Sequence, residues 1–105
     1  MSVKIIASAE DFHSTIGGDK LVLVDYYADW CPPCRRFAPT LEQIAKDFPD
    51  VLIVAKVNVD QLEEVSQAQG IECMPTFIFY KNGAKLDKVE GADEKSVRAM
   101  VLKHK

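Results

Sequence analysis

Five short runs of apolar or alternating residues divide the chain, each bounded by polar or turn-forming residues. Runs of this length that are rich in β-branched and aromatic side chains predict strands. The predicted strands cover 3–6, 21–28, 51–59, 76–81 and 85–90. The second run is almost continuously apolar, which is typical of a central strand covered on both faces. The last two flank Asn82-Gly83, a dipeptide that favours a tight hairpin, so we expect them to pair antiparallel.

Between these runs, apolar residues recur every three or four positions, which is the spacing of one helix face. The clearest stripe consists of Phe37, Leu41, Ile44 and Phe48. It predicts a helix that begins near Cys34. Three shorter helices are expected to start near Ser8, Asp60 and Asp93, whose side chains can accept hydrogen bonds from free backbone N–H groups. The order βαβαβαββα predicts an α/β fold, with a central mixed sheet flanked by helices.

Composition narrows the class of protein. A length of 105 residues with 48% hydrophobic residues predicts a single domain over 1–105 with its own core. The net charge is −3 and acids and bases are interleaved, so we expect no nucleic-acid partner. No apolar run is long enough to span a membrane, and the N-terminal segment turns polar too soon for a signal peptide. We therefore expect a cytoplasmic protein without a membrane partner.

The chemistry is concentrated in Trp30-Cys31-Pro32-Pro33-Cys34, at the junction of the central strand and the long helix. Residues three apart share a helix face, so the two thiols can meet. A disulfide between them would close a very short ring, and cross-links stabilise less as the loop shortens, so reversible redox chemistry explains the pair better than structure does. At the helix N-terminus, the helix dipole and free N–H groups favour the thiolate, and Cys31 is the candidate for that position.

The prolines between the cysteines suit a helix start but remove two N–H donors from it. The Cys34 N–H is then the expected remaining donor to the Cys31 sulfur. Arg35 and Arg36 add positive charge in the first turn, where they either favour a thiolate or form part of a solvated face.

Metal binding is the first alternative use of a Cys-x-x-Cys pair. A structural zinc site needs four ligands, usually from a second pair at similar spacing. The remaining candidates, Cys73, His13 and His104, are scattered along the sequence. We therefore expect no metal site.

Two charged residues interrupt runs that are expected to be buried. Asp25 lies within the central strand and Lys56 within the next strand along the chain. A buried carboxyl is unfavourable unless it is paired, protonated or used chemically. Either the two residues form a structural ion pair, or Asp25 serves as a proton acceptor with a pKa raised by burial.

Six motifs, in this order and spacing, resemble the thioredoxin family over essentially the full chain. They are Val24-Asp25-Tyr26 followed by Ala28-Asp29-Trp30-Cys31, the Cys-x-x-Cys pair, Pro39, 55–60, Met74-Pro75-Thr76 and Gly91-Ala92. The resemblance implies the thioredoxin fold, with five strands and four helices, a cis Pro75, and a shallow apolar surface around the thiols. It also implies that the backbone of Met74 pairs with a substrate chain.

The same resemblance implies a protein disulfide reductase in cellular redox homeostasis. Cys31 attacks a target disulfide, Cys34 resolves the mixed disulfide, and Asp25 with Lys56 nearby accepts the Cys34 proton. The implied substrate surface consists of Trp30, Pro32, Pro33, Met74, Pro75, Gly91 and Ala92. We expect no bound cofactor, electrons supplied by NADPH through a thioredoxin reductase, and disulfide-containing proteins as targets.

The chain departs from the family at the active-site dipeptide. Thioredoxins usually carry Gly-Pro between the cysteines, whereas Pro32-Pro33 is shared with tryparedoxins and nucleoredoxins. A tryparedoxin-like or nucleoredoxin-like oxidoreductase with a different electron donor is therefore an alternative. Tyr27 replaces a frequent tryptophan, and Glu90 places a charge beside the expected binding surface. The sequence is also compatible with a non-catalytic interaction module, and with a thiol oxidant or isomerase of an oxidising compartment.

The third cysteine, Cys73, directly precedes Met74-Pro75. We expect it to be a regulatory thiol at the edge of the substrate surface, in a protein that is otherwise monomeric. The alternative is a small buried hydrophobic residue, which is the commonest fate of a free cysteine. If Cys73 is exposed, oxidation should yield a disulfide-linked dimer or a glutathione adduct.

Overall fold

A computed structural model describes residues 2–105 and has the predicted α/β architecture, with one five-stranded mixed sheet and four helices. The elements are β1 (Val3–Ile5), α1 (Ala9–Ile16), β2 (Leu21–Tyr27), α2 (Pro32–Asp47), β3 (Leu52–Asn58), α3 (Glu63–Ala68), β4 (Thr76–Lys81), β5 (Ala84–Glu90) and α4 (Glu94–His104). This is the predicted element order, and the predicted mixed sheet with five strands and four helices is confirmed. No helix within residues 2–105 is both long and apolar enough to cross a membrane.

The strand order across the sheet is β1-β3-β2-β4-β5. β3 pairs in parallel with both β1 and β2, whereas β4 is antiparallel to β2 and to β5. The predicted hairpin joins β4 to β5, and its two turn residues, Asn82 and Gly83, have φ of 54° and 79°. Left-handed conformations at both positions are those that a type I′ hairpin turn requires. The central strand β2 is buried over Leu21–Tyr26, as its continuous apolar run predicts.

The two faces of the sheet support separate apolar clusters. Because side chains alternate along a strand, Leu21 and Leu23 pack on the face covered by α2 and α4, while Val22 and Val24 pack on the face covered by α1 and α3. Asp25 has the same parity as Leu21 and Leu23, so its carboxyl lies on the α2 face. The sheet register places Lys56 opposite Asp25 on the neighbouring strand.

The helix starts test the capping predictions. The Ser8 side chain accepts a hydrogen bond from the Asp11 N–H at 3.0 Å, which confirms the first cap. The Asp60 cap is wrong, because α3 begins at Glu63 with Leu62 at its N-cap and no side-chain cap. Instead, Asp60 Oδ2 accepts a hydrogen bond from the Trp30 indole at 2.9 Å. The ends of β1, β2, β3 and β5 differ from the predicted ends by one residue.

Candidate active site

The cysteine pair lies at the N-terminus of α2, directly after the central strand. Cys31 is the N-cap residue in an extended conformation, with φ −91° and ψ 110°, and the prolines occupy the first two helical positions. The Cys34 N–H donates to Cys31 Sγ at 3.3 Å, as the loss of the proline donors predicts. Cys31 and Cys34 are joined as a disulfide, so the structure holds the oxidised state. Both cysteines are buried.

An apolar cluster surrounds this disulfide. Its members are Ala28, Cys31 and Cys34, with Tyr27, Val59 and Met74 packed at its margin. Trp30 stands beside it and is 63% exposed, which leaves most of the indole available to a partner. Such a mixture of a buried disulfide and an exposed aromatic ring favours contact with a protein chain.

The Met74-Pro75 segment lies against the disulfide from the opposite side. Its peptide bond is cis, as the family resemblance implies. The Met74 carbonyl oxygen is 3.7 Å from Cys31 Sγ. Within residues 2–105, the Met74 N–H makes no hydrogen bond, so it is available to an incoming strand.

The Gly91-Ala92 turn lies next to the Met74-Pro75 segment. The Gly91 N–H donates to the Pro75 carbonyl at 2.9 Å, and φ at Gly91 is +94°, a conformation that favours glycine. Ala92 and Pro33 both line a shallow pocket of about 290 Å³ between this turn and α2. The structure therefore brings the residues of the expected substrate surface together around the cysteine pair.

Asp25 is the buried carboxyl of the site. Its residue exposure is 1%, and Oδ1 has no hydrogen-bond partner within residues 2–105. Burial raises the pKa of Asp25 to about 7, and the positive charge of Lys56 opposes that rise. A carboxyl that is half ionised near neutral pH can both accept and release a proton, which is what a general base requires.

Comparisons with known proteins agree with this geometry. A family model described as Thioredoxin matches residues 3–103. The thioredoxin of Malassezia sympodialis is 42% identical over 104 residues, covering 97% of this chain and 98% of that protein. The thioredoxin of Geodia cydonium is 44% identical over 106 residues, covering 98% and 99%. The chain belongs to the thioredoxin family.

The comparison with solved structures confirms the predicted thioredoxin fold. The crystal structure of Malassezia sympodialis thioredoxin has a TM-score of 0.93 and 40% identity, and covers 99% of this chain and 94% of that chain. Thioredoxin-family membership together with the Cys31–Cys34 pair makes the chain a thiol-disulfide oxidoreductase that acts as a protein disulfide reductase.

Lys56 makes a contact that the sequence did not predict. Within residues 2–105 it forms no salt bridge with Asp25, so the structural ion pair considered from sequence is not present. Its Nζ instead lies 4.3 Å from the centroid of the Tyr27 ring. That distance is typical of a cation–π contact. The sequence pattern does not predict this contact because it depends on the register between β2 and β3.

Two polar contacts that the sequence pattern does not predict fix the loop before Cys31. The Arg35 guanidinium donates to the Asp29 carbonyl at 2.9 Å, and Asn58 Nδ2 donates to the Asp29 side chain at 3.3 Å. Arg35 is therefore tied to the loop that carries Trp30, rather than being part of a purely solvated face. Alternation of polar residues within β3 was the only sequence signal for Asn58.

Cys73 is an exposed residue with a free thiol, so the alternative of a small buried residue is wrong. Its Sγ is 3.6 Å from Thr76 Oγ1, and that hydroxyl donates to the Cys73 carbonyl at 2.7 Å. The residue lies one position before Met74, at the margin of the expected substrate surface.

Proposed function

We propose that Cys31 is the nucleophile and Cys34 the resolving thiol of this protein disulfide reductase. The Cys31 thiolate attacks one sulfur of a target disulfide, forming a mixed disulfide and releasing the other target sulfur as a thiolate, which takes a proton from solvent. Cys34 then attacks Cys31 Sγ, the mixed disulfide breaks, and the second target thiol leaves. Two electrons pass to the target, and the Cys31–Cys34 disulfide remains.

The position of Cys31 at the N-cap of α2 carries this assignment. Its sulfur accepts the Cys34 N–H and lies at the positive end of a 16-residue helix, where a thiolate is stabilised. Cys34 is inside the first turn and supplies that donor, so its own sulfur does not receive the same bond.

Asp25 is proposed as the acceptor of the Cys34 proton during resolution, either directly or through a water. Its burial on the α2 face and its raised pKa support this role. Lys56 acts electrostatically in this proposal, because a neighbouring cation favours the ionised carboxylate.

The substrate chain is proposed to lie along Met74-Pro75 as an added strand, against Trp30 and the Gly91-Ala92 turn. Among residues 2–105 the Met74 N–H has no hydrogen-bond partner, which supports this placement, because unpaired backbone groups pair readily with an extended peptide. Pro32 is exposed and Pro33 half-buried at the same margin. The targets in this proposal are therefore proteins with an accessible disulfide.

The electron donor is proposed to be a thioredoxin reductase that uses NADPH, in the cytoplasm, with no cofactor bound to the chain itself. An exposed free thiol such as Cys73 suits a reducing compartment. Pro32-Pro33 between the cysteines supports the second candidate, a tryparedoxin-like or nucleoredoxin-like protein with another donor.

A coupled assay separates these candidates. The oxidised protein is mixed with insulin and either NADPH plus a thioredoxin reductase, or glutathione at the same reducing capacity. Faster insulin reduction with the reductase supports the first donor, and reduction by glutathione alone supports the second. A reduction potential well above that of the glutathione pool would contradict a reductase and indicate a thiol oxidant.

Oxidation of Cys73 should produce a reversible block of activity. Treatment of the protein with hydrogen peroxide or oxidised glutathione should give a disulfide-linked dimer or a mixed disulfide at Cys73, because the thiol is exposed and has no intramolecular disulfide partner. Either product would cover the surface next to Met74. Non-reducing gels and intact mass measure both products.

The Cys73→Ser variant is the control for this experiment. It should keep full activity under reducing conditions and should form no dimer. The regulatory role would be excluded if the oxidised wild-type protein stayed monomeric and unmodified while its Cys31–Cys34 disulfide had formed.

A further inference from the structure

Three polar side chains share the sheet face beneath the start of α2. Asp25 and Tyr27 are two residues apart on β2, so they point to the same face, and Lys56 is opposite Asp25 on β3. The Lys56 Nζ lies 4.3 Å from the Tyr27 ring centroid. Tyr27 in turn packs against the cluster that contains Cys31 and Cys34. Tyr27 thus contacts both the lysine ammonium and the cluster that contains the redox pair.

Within residues 2–105, the Tyr27 ring is the group that contacts the Lys56 ammonium. Lys56 is half-buried on a flexible four-carbon stem, and within residues 2–105 it forms no salt bridge with Asp25. The ordinary pKa of a tyrosine, 10, already keeps the Tyr27 phenol neutral at physiological pH, and burial raises that pKa further. The neutral ring contacts the ammonium. Without that ring, hydration and side-chain entropy would favour a Lys56 that extends into solvent.

We propose that Tyr27 is a positioning residue, whose ring holds the Lys56 ammonium on the sheet face beside Asp25 and so sets the charge state of that carboxyl during resolution. The proton passes from Cys34 to Asp25, and neither Tyr27 nor Lys56 exchanges a proton. The proposal rests on the proposed role of Asp25 as general base.

The surroundings make Lys56 the dominant charge in this arrangement. The residue opposite Asp25 on β4 is Phe77, which is fully buried and apolar. Asp29, after β2, faces Tyr27 and is held by Asn58. The thiols of Cys31 and Cys34, when reduced, are the titratable groups that the start of α2 contributes beside Tyr27. Lys56 is the one cation whose charge acts on Asp25 among the described residues.

The test titrates Asp25 directly by carboxyl ¹³C NMR in wild-type protein and in two variants, Tyr27→Phe and Tyr27→Leu. Tyr27→Phe keeps the ring, so its titration midpoint should match the wild type. Tyr27→Leu loses the ring, so the midpoint should move about half a pH unit to higher pH. Resolution of a mixed disulfide, followed by stopped flow, should then slow about twofold at pH 7.

Two controls separate positioning from packing. In a Lys56→Met background, Tyr27→Leu should no longer move the midpoint, because the cation is absent. Fluorinated phenylalanines at position 27 keep the shape of the ring but weaken its attraction for a cation, so the midpoint should rise stepwise with fluorination. This series also replaces Tyr27→Leu if that variant fails to fold.

The outcomes are distinguishable. An unchanged midpoint in Tyr27→Leu and in the fluorinated series, or a shift that persists in the Lys56→Met background, would overturn the role of Tyr27. If the midpoint moves as expected but Asp25→Asn resolves mixed disulfides at the wild-type rate, the role of Tyr27 stands as an electrostatic one and the general-base proposal fails.

Discussion

Replacing Cys31 with serine should abolish insulin reduction, whereas replacing Cys34 with serine should leave the first attack intact and accumulate mixed disulfides. The two variants differ because only Cys31 is at the N-cap of α2, where the helix terminus stabilises a thiolate. A serine at position 34 cannot break the bond between Cys31 and the target. Turnover should therefore stop in both variants, at different steps.

The distinction is measured by intact mass after the reduced protein is mixed with a target disulfide. A Cys73→Ser background removes the third thiol as a source of adducts. In that background, Cys34→Ser should carry the target on Cys31, and Cys31→Ser should carry none. Faster alkylation of Cys34 than of Cys31 by iodoacetamide in the reduced wild-type protein would reverse the assignment.

The Asp25→Asn variant should be more stable than the wild-type protein at pH 8 yet slower in resolution. Burial moves the pKa of Asp25 from its ordinary value of 3.8 to about 7 in the folded state. Between these two pH values, the folded protein holds a proton that the unfolded chain has lost, so the stability of the wild type falls as pH rises and then levels off above pH 7. At 1.36 kcal/mol per pKa unit, the loss is at most about 4 kcal/mol.

An amide cannot ionise, so the stability of Asp25→Asn should not fall as the pH rises through this range. Denaturant unfolding from pH 4 to pH 8 should show its advantage growing through that window, up to a gain of about 1–4 kcal/mol. Asp50→Asn makes the same chemical change at an exposed site and should leave both stability and rate unchanged. A large loss of stability in Asp25→Asn would indicate instead that the carboxylate supports the fold.

The apolar pattern was sufficient to predict most of the fold. The continuous run before Ala28 could only be accommodated in a strand covered on both faces, and the stripe that includes Phe37 and Leu41 required a helix against that strand. The Asn82-Gly83 pair predicted the turn between β4 and β5. Local chemistry determined these elements, so sequence was enough.

The Asp60 prediction failed because a distant group competed for the same side chain. An aspartate before a short helix is a good cap in isolation, but the Trp30 indole takes its carboxylate, thirty residues away in sequence. α3 then begins three residues later, without a side-chain cap. Capping preferences do not include such tertiary partners.

The active site was predictable to a similar degree. The spacing of Cys31 and Cys34 and their position at a helix start required only local reasoning. The contact between Lys56 and Tyr27 required the register of two parallel strands, which a hydrophobic pattern does not determine to the level of side-chain ends. The sequence therefore predicted that Lys56 lies near Asp25, but it did not predict that the Lys56 ammonium contacts the Tyr27 ring.

The most direct test of dithiol-disulfide exchange at Cys31 and Cys34 is a single-turnover reaction between the fully reduced Cys73→Ser protein and an excess of insulin, with no other reductant present. Peptide mass mapping should show one Cys31–Cys34 disulfide formed for each insulin disulfide reduced, and a trapped insulin adduct on Cys31 alone when Cys34→Ser is used. Insulin that stays oxidised, or an adduct on Cys34 of the reacting Cys73→Ser protein in place of Cys31, would contradict the account.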